Sequence, residues 1–421
     1  MRRLEVLFLL AAGSFLLSGP LFAQMQWYRA TDSAAWSART NHALVAFDDK
    51  LWVIGGYSPS LFHQDVWYST DGANWTLATD SAGWSPRLSH TAVAFDNKLW
   101  VLGGESNVRP YDRNDVWYSA DGVNWTEATD SASWSGRKNH SSVVFDNKLW
   151  VLGGKSSTGQ PLYKRDVWYS TDGVSWSRAA DSTGWLGRHS HTSVVFDNKL
   201  WVIGGYSTDS GGSYKNDVWY STDGANWNRA TDSAGWSARC EHTSAVLDGR
   251  IWVMGGQIPA GPSYKNDVWC STDGTDWVQA NVSAAWSARA YHASGVFNDE
   301  IWLTGGYQDP FPYYCQDVWH SNGLGIQEGR RAGAGRSKPE VYPSPARTVI
   351  RVRRPSPDNR ATAVRILDRS GKLARAVAPQ RAEPGSPSDR DGEMTVRLDG
   401  IRPGVYFLQL GAEVRKFLVV E

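Results

Sequence analysis

Asp65-Val-Trp67-Tyr-Ser-Thr-Asp-Gly-Ala-Asn-Trp75-Thr-Leu-Ala-Thr-Asp-Ser-Ala-Gly-Trp84-Ser-Pro-Arg87-Leu-Ser-His90-Thr-Ala-Val-Ala-Phe95-Asp-Asn-Lys-Leu-Trp100-Val-Leu-Gly103-Gly104 is one unit of a repeat that fills most of the chain. Its double glycine returns at Gly55, Gly103, Gly153, Gly204, Gly255 and Gly305, in steps of 48, 50, 51, 51 and 50 residues. A fixed period of this size marks an array in which each unit buries its apolar faces against its neighbours.

The 24 tryptophans count the units, because they sort into four classes of six. One class precedes the double glycine (Trp52, Trp100, Trp150, Trp201, Trp252, Trp302), and one sits in Asp-Val-Trp (Trp67, Trp117, Trp168, Trp219, Trp269, Trp319). One precedes the arginine (Trp36, Trp84, Trp134, Trp185, Trp236, Trp286). The class after the Asp-Gly turn has only five members (Trp75, Trp125, Trp176, Trp227, Trp277), and Trp27 supplies the sixth. The sixth unit stops after Asp317-Val-Trp319 without its own, so the chain begins with a strand of its last unit and closes a ring.

Within a unit, His90–Phe95, Lys98–Leu102, Asp115–Ser119 and the segment around Trp125 are short runs rich in Val, Trp, Tyr and Phe, separated by Asn, Asp and Gly. They predict four antiparallel strands. With the double glycine, the Trp on the fourth strand and Arg-x-x-His before the first, residues 26 to about 321 resemble the kelch repeat. That resemblance implies an all-β, six-bladed propeller. The Ser69–Trp75 turn also resembles the sialidase Asp-box, one residue short.

Met1–Ala23 carries two arginines, an apolar run and a small-residue end, predicting a signal peptide cleaved near Ala23 and a secreted or cell-surface protein. No later stretch is long enough to span a membrane. Residues 24–321 carry 22 basic and 31 acidic side chains, and residues 322–421 carry 19 and 11. The acidic propeller argues against nucleic acid as partner. Ser321–Glu340 reads as a linker, so the propeller spans 24–321, the linker 322–340 and a last domain 341–421. Ala363–Val377 and Gly404–Val420 read as hairpins of a small β-sandwich. Tyr342-Pro-Ser-Pro345, Ile366-Leu-Asp-Arg-Ser-Gly371 and Lys416-Phe-Leu-Val-Val420 resemble the C-terminal sorting domain of the type IX secretion system, with Ser344 where that family commonly has Asn. The resemblance implies that secretion machinery reads residues 341–421.

Between the second glycine and Asp-Val-Trp the intervening segments are 8, 10, 11, 11, 10 and 10 residues long, and removing each leaves 40 residues in all five complete steps. All length variation therefore lies in one loop class, which shares a face with the four-to-one connections. Tyr111, Tyr163, Tyr214, Tyr264, Tyr313 and Tyr314 stand there as candidate binding residues for a protein or a glycan. Arg39, Arg87, Arg137, Arg188, Arg239 and Arg289, each three residues before a His, are candidates to ring the channel mouth and hold an anion. The alternative is that each Arg and His ties blades together through backbone carbonyls.

Sixfold repetition works against catalysis, which needs unlike groups at one point. No paired carboxylates, nucleophile elbow or phosphate loop appears, and no metal or cofactor is expected. Kelch relatives that are enzymes include copper radical oxidases, whose Tyr, Cys and His ligands have no match here, and sialic acid epimerases. For the second kind Arg239, Glu241 and His242 are the catalytic candidates. A Trp-plugged mouth opposes that reading, and an open polar pocket holding Glu241 supports it. Cys240, Cys270 and Cys315 each replace another residue of the repeat, and their pairing is not assignable from sequence.

Overall fold

Trp27–Thr31, the first strand among the described residues, pairs antiparallel with Val318–Ser321, the third strand of the sixth blade, with Trp27 opposite Ser321 and Tyr28 opposite His320. The ring thus closes as the tryptophan count requires, and Trp27 meets Trp286 edge-on at 5.8 Å. The computed structural model describes residues 25–157, 161–207, 212–259, 263–309 and 313–321, and the backbone of strands between 341 and 419. The signal segment and the linker lie outside the described residues.

Each blade is a four-stranded antiparallel sheet; in blade three the strands are Ser141–Phe145, Lys148–Lys155, Tyr163–Ser170 and Ser177–Ala180. The second strand is apolar on both faces because both are covered: Leu149, Trp150, Val151 and Leu152 are at most 3% exposed. The tryptophans before the arginines are 1% exposed, and each meets the fourth-strand Trp of its blade edge-on, as Trp84 meets Trp125 at 6.0 Å. Such pairs add ~0.5–1.5 kcal/mol beyond area burial. The Asp-Gly turns are built by side chains: Ser69 Oγ accepts from Gly72 N at 2.8 Å, and Asp71 Oδ1 accepts from Asn74 N at 2.8 Å. Bonds from Asn74 hold the Asp71 carboxyl down at about 2. A Cβ on Gly72 would lie 1.8 Å from the Trp302 ring of the preceding blade, so only glycine lets the turn dock there.

One expectation is corrected. The second strand does not end at the double glycine but runs on, as Lys50–Ser58 shows, with Tyr57 opposite Phe62 and Ser58 opposite Leu61. The glycines make a bulge between Ile54 and Gly56 and the ladder resumes beyond it. Gly55 and Gly56 have φ of 56° and 105°, and a Cβ on Gly56 would sit 2.7 Å from His42 Cβ. What sequence reading treats as loops are therefore largely extended hairpins, and Tyr163, Tyr214 and Tyr264 sit on their strands.

In the tail, Val341–Pro343, Val349–Arg353 and Glu393–Arg397 form one sheet. Leu373–Val377, Val364–Leu367, Gly404–Leu410 and Glu413–Val419 form another, which includes both expected pairings. Among the described residues no helix is long and apolar enough to cross a membrane.

Candidate functional site

The six arginines come first, because their placement decides what remains at the mouth. Arg39 is fully buried and does not line the central cavity. Its Nη1 and Nη2 donate to the two carboxylate oxygens of Asp65 at 2.7 and 2.9 Å, Nη1 also to Gly55 O at 2.9 Å, and the remaining N–H groups to Ser37. All five donors are used. Arg87, Arg137, Arg239 and Arg289 repeat this with Asp115, Asp166, Asp267 and Asp317, and Arg188 does so with Asp217 but with Leu186 in place of the serine. Burial alone would raise the Asp65 carboxyl, but the Arg39 bonds and charge hold it below the ordinary carboxylate range. The expected ring of anion-binding guanidiniums is corrected: these groups are buried struts between a four-to-one connection and its own blade.

The histidines join each blade to the one before. His140 Nε2 lies 3.0 Å from Thr91 Oγ1, His191 Nε2 2.9 Å from Ser141 Oγ, His242 Nε2 3.1 Å from Thr192 Oγ1 and His292 Nε2 3.0 Å from Thr243 Oγ1. In blade six the corresponding residue is Ala293, and His42 uses Thr304 instead, at 2.9 Å. In blade one it is Ala43, and His90 has no hydroxyl in reach. Burial, then the charge of the neighbouring arginine, keeps these imidazoles neutral: down to about 3 at His90 and His242, and well below the usual value at His42.

The residue before each histidine completes the joint. Asn41, Ser89, Asn139, Ser190, Glu241 and Tyr291 all have φ between 52° and 59°. Each donates its backbone N–H to the carbonyl of its counterpart one blade back, from Ser89 to Asn41 at 3.0 Å round to Asn41 to Tyr291 at 3.0 Å. A closed circle of six hydrogen bonds results, and its side chains, with the six histidines beneath, line a central cavity of about 120 Å³. The mouth is open and polar, and no tryptophan lines it.

Glu241 breaks the symmetry there. Its Oε1 accepts from Asn139 Nδ2 at 3.0 Å and from the Ser190 hydroxyl, and Ser190 Oγ is 2.7 Å from His189 Nδ1. Burial pushes the Glu241 carboxyl up to about 7, with only the Ser190 bond pulling it down. The three catalytic candidates do not converge: Arg239 is locked to Asp267, and although Glu241 and His242 both line the cavity, His242 is engaged with Thr192.

The tyrosines of the extended hairpins form two contact groups, of which Tyr214 and Tyr264 come near Tyr291 at the mouth. Tyr163 stacks on His189 at 5.1 Å, which also touches Tyr206, and Tyr206 meets Tyr214 at 5.3 Å. Tyr264, Tyr313 and Tyr314 all contact Tyr307, and Tyr314 reaches Tyr57 in blade one. Tyr111 stands apart, 48% exposed, beneath the Arg109 guanidinium. Sequence reading missed Tyr57, Tyr206 and Tyr307 as members; their signal is a Tyr directly after the double glycine in three units. The three cysteines are free and buried.

Six four-stranded blades around a polar mouth define a β-propeller. The chain belongs to the Kelch-repeat family: it matches the KLHDC2/KLHL20/DRC7 Kelch-repeats domain over residues 17–154 and 139–322, more than half its length. It is also similar to the solved structure of YjhT, at 16% identity and a TM-score of 0.55, over 69% of this chain and 96% of that one. At that identity the likeness is one of fold. No curated protein matches the sequence.

Proposed function

We propose that the protein is an exported recognition module that binds a protein or a glycan through the face carrying the extended two-to-three hairpins and the mouth. The observation that carries this is the pair of tyrosine groups on the extended hairpins, Tyr163, Tyr206 and Tyr214 in one and Tyr264, Tyr307, Tyr313 and Tyr314 in the other, beside an asymmetric polar opening. The opposite face offers near-identical Asp-Gly and Asp-Asn turns, whose polar groups satisfy each other. Met1–Ala23 directs export and residues 341–421 serve as a sorting domain in this reading. Deleting Val405–Glu421 is then expected to leave the propeller folded but retained in the cell, and normal release would overturn that part.

The test of recognition is a screen of the mature propeller against glycans and surface proteins, followed by paired substitutions. Tyr313→Ala with Tyr314→Ala is expected to weaken the partner by at least ~30-fold, the loss of ~2 kcal/mol typical of an aromatic anchor. Asn97→Ala with Lys98→Ala, on the other face, is expected to change nothing. The reverse result would place binding on the wrong face.

A second reading, a carbohydrate-active enzyme, draws on one observation: the mouth is open and holds Glu241 on the Ser190–His189 chain. In that reading the six repeat arginines would not hold an acidic sugar, because each already bonds an aspartate.

A further inference from the structure

Each of the six Asp-Val-Trp aspartates is buried against an arginine of its own. Glu241 is half-buried at the cavity, with no arginine or lysine bonded to it. Its Oε1 is held from two sides, while Oε2 makes no hydrogen bond to the described residues and opens on the cavity. A carboxylate drawn partly out of water without a cation beside it gains from a counter-charge brought from outside. The backbone sharpens the point. Glu241 and the adjoining Tyr291 hold φ of 53° and 59°, a region glycine and asparagine enter more cheaply, yet a charged and a bulky residue stand there.

Building on the recognition role proposed above, we propose that Glu241 receives the primary ammonium group of a lysine side chain presented by a partner protein. The cavity of about 120 Å³ is smaller than the ~150 Å³ that accommodates a benzene, so it suits an alkylammonium head better than a sugar ring. An anionic head is disfavoured because no guanidinium faces the opening. The tyrosines around the rim supply contact area for the rest of the partner. Among the titratable groups near the carboxyl, burial lowers His189 to about 4 and the ring histidines further, and raises Cys240 and Tyr291, while Lys155 and the Glu105-paired Lys138 lie beyond, beside His189. Ammonium binding therefore answers to Glu241 alone, strengthening as pH rises through about 7 and fading only when the amine itself loses its proton.

The test uses the full mature chain and Nα-acetyl-lysine methylamide, followed by NMR titration. Saturable binding is expected, at least tenfold weaker in Glu241→Gln and at least tenfold weaker for the Nε-acetylated probe, with unchanged melting of the variant. No binding, equal binding of the acetylated probe, or an unaffected Glu241→Gln would each overturn the assignment. Tighter binding of glucosamine than of the lysine probe would also overturn it, in favour of an amino sugar. If the tyrosine pair still abolishes partner binding while the lysine probe fails, this inference falls and the recognition face stands.

Discussion

The strut layer and the mouth lie within three residues of each other in every Arg-x-x-His segment, and they follow opposite rules. In the strut layer a charge is buried six times and matched six times, with both carboxylate oxygens and a glycine carbonyl satisfying one guanidinium. At the mouth the circle is closed by backbone bonds that any residue can make, so the side chains are free to differ (Asn, Ser, Asn, Ser, Glu, Tyr) and several bond one another across blades. Identity marks the joint, and difference marks the surface available to a ligand.

The strongest way to stress this contrast is acid. The ring histidines are held neutral, with values of about 3 at His90, His140, His242 and His292, whereas an unfolded chain protonates them near 6.5. Their contribution is complete above pH ~6.5 and is lost as pH falls toward 3. A group so depressed costs ~1.4 kcal/mol per pH unit in that window, so stability is expected to fall steeply by pH ~5. Tryptophan fluorescence is expected to report cooperative unfolding near that pH; a propeller intact at pH 4 would show that the histidines are not what joins the blades.

Next in size is a single strut. Asp166→Asn leaves Arg137 buried beside a neutral partner and is expected to cost ~3–5 kcal/mol in denaturant unfolding. Asn41→Gly, at the mouth, keeps its backbone bond and is expected to stay within ~0.5 kcal/mol. Similar losses at the two positions would erase the distinction between the layers.

How far this was legible in the sequence depends on where the information sits. The blade count and closure were readable because tryptophans occupy fixed repeat positions and Trp27 is out of place at the chain start. The strut partner was not, because Arg39 and Asp65 are far apart in the chain and each taken alone reads as a turn or strand residue; six arginines facing six equally regular aspartates was the available signal. The extended hairpins were hidden because two glycines look like an end, whereas here they make a bulge that lets the neighbouring connection pass. The circle of backbone bonds leaves almost no trace, since positions held by main-chain atoms place few demands on residue type. Glu241 was picked out as unusual, but grouping it with Arg239 and His242 assumed that neighbours in sequence face one way.

The smallest expected effect lies between the two layers. His90 lacks the hydroxyl that its counterparts use, because Ala43 stands where other blades carry Thr91, Ser141, Thr192 and Thr243. Ala43→Thr is expected to restore the bond and stabilise the ring by ~1 kcal/mol, readable as a small rise in melting temperature. A loss instead would mean that the site is too tight for the added atoms.

The pairing of Trp27–Thr31 with Val318–Ser321 also sets a clock. A chain emerging from the ribosome delivers its first strand roughly 290 residues before that strand's partner, ~15–60 s at ordinary rates of synthesis. For that interval the blades can stack in order, but the ring stays a broken arc with a bare edge at either end. Of the propeller's strands, the one made first is the last to be paired.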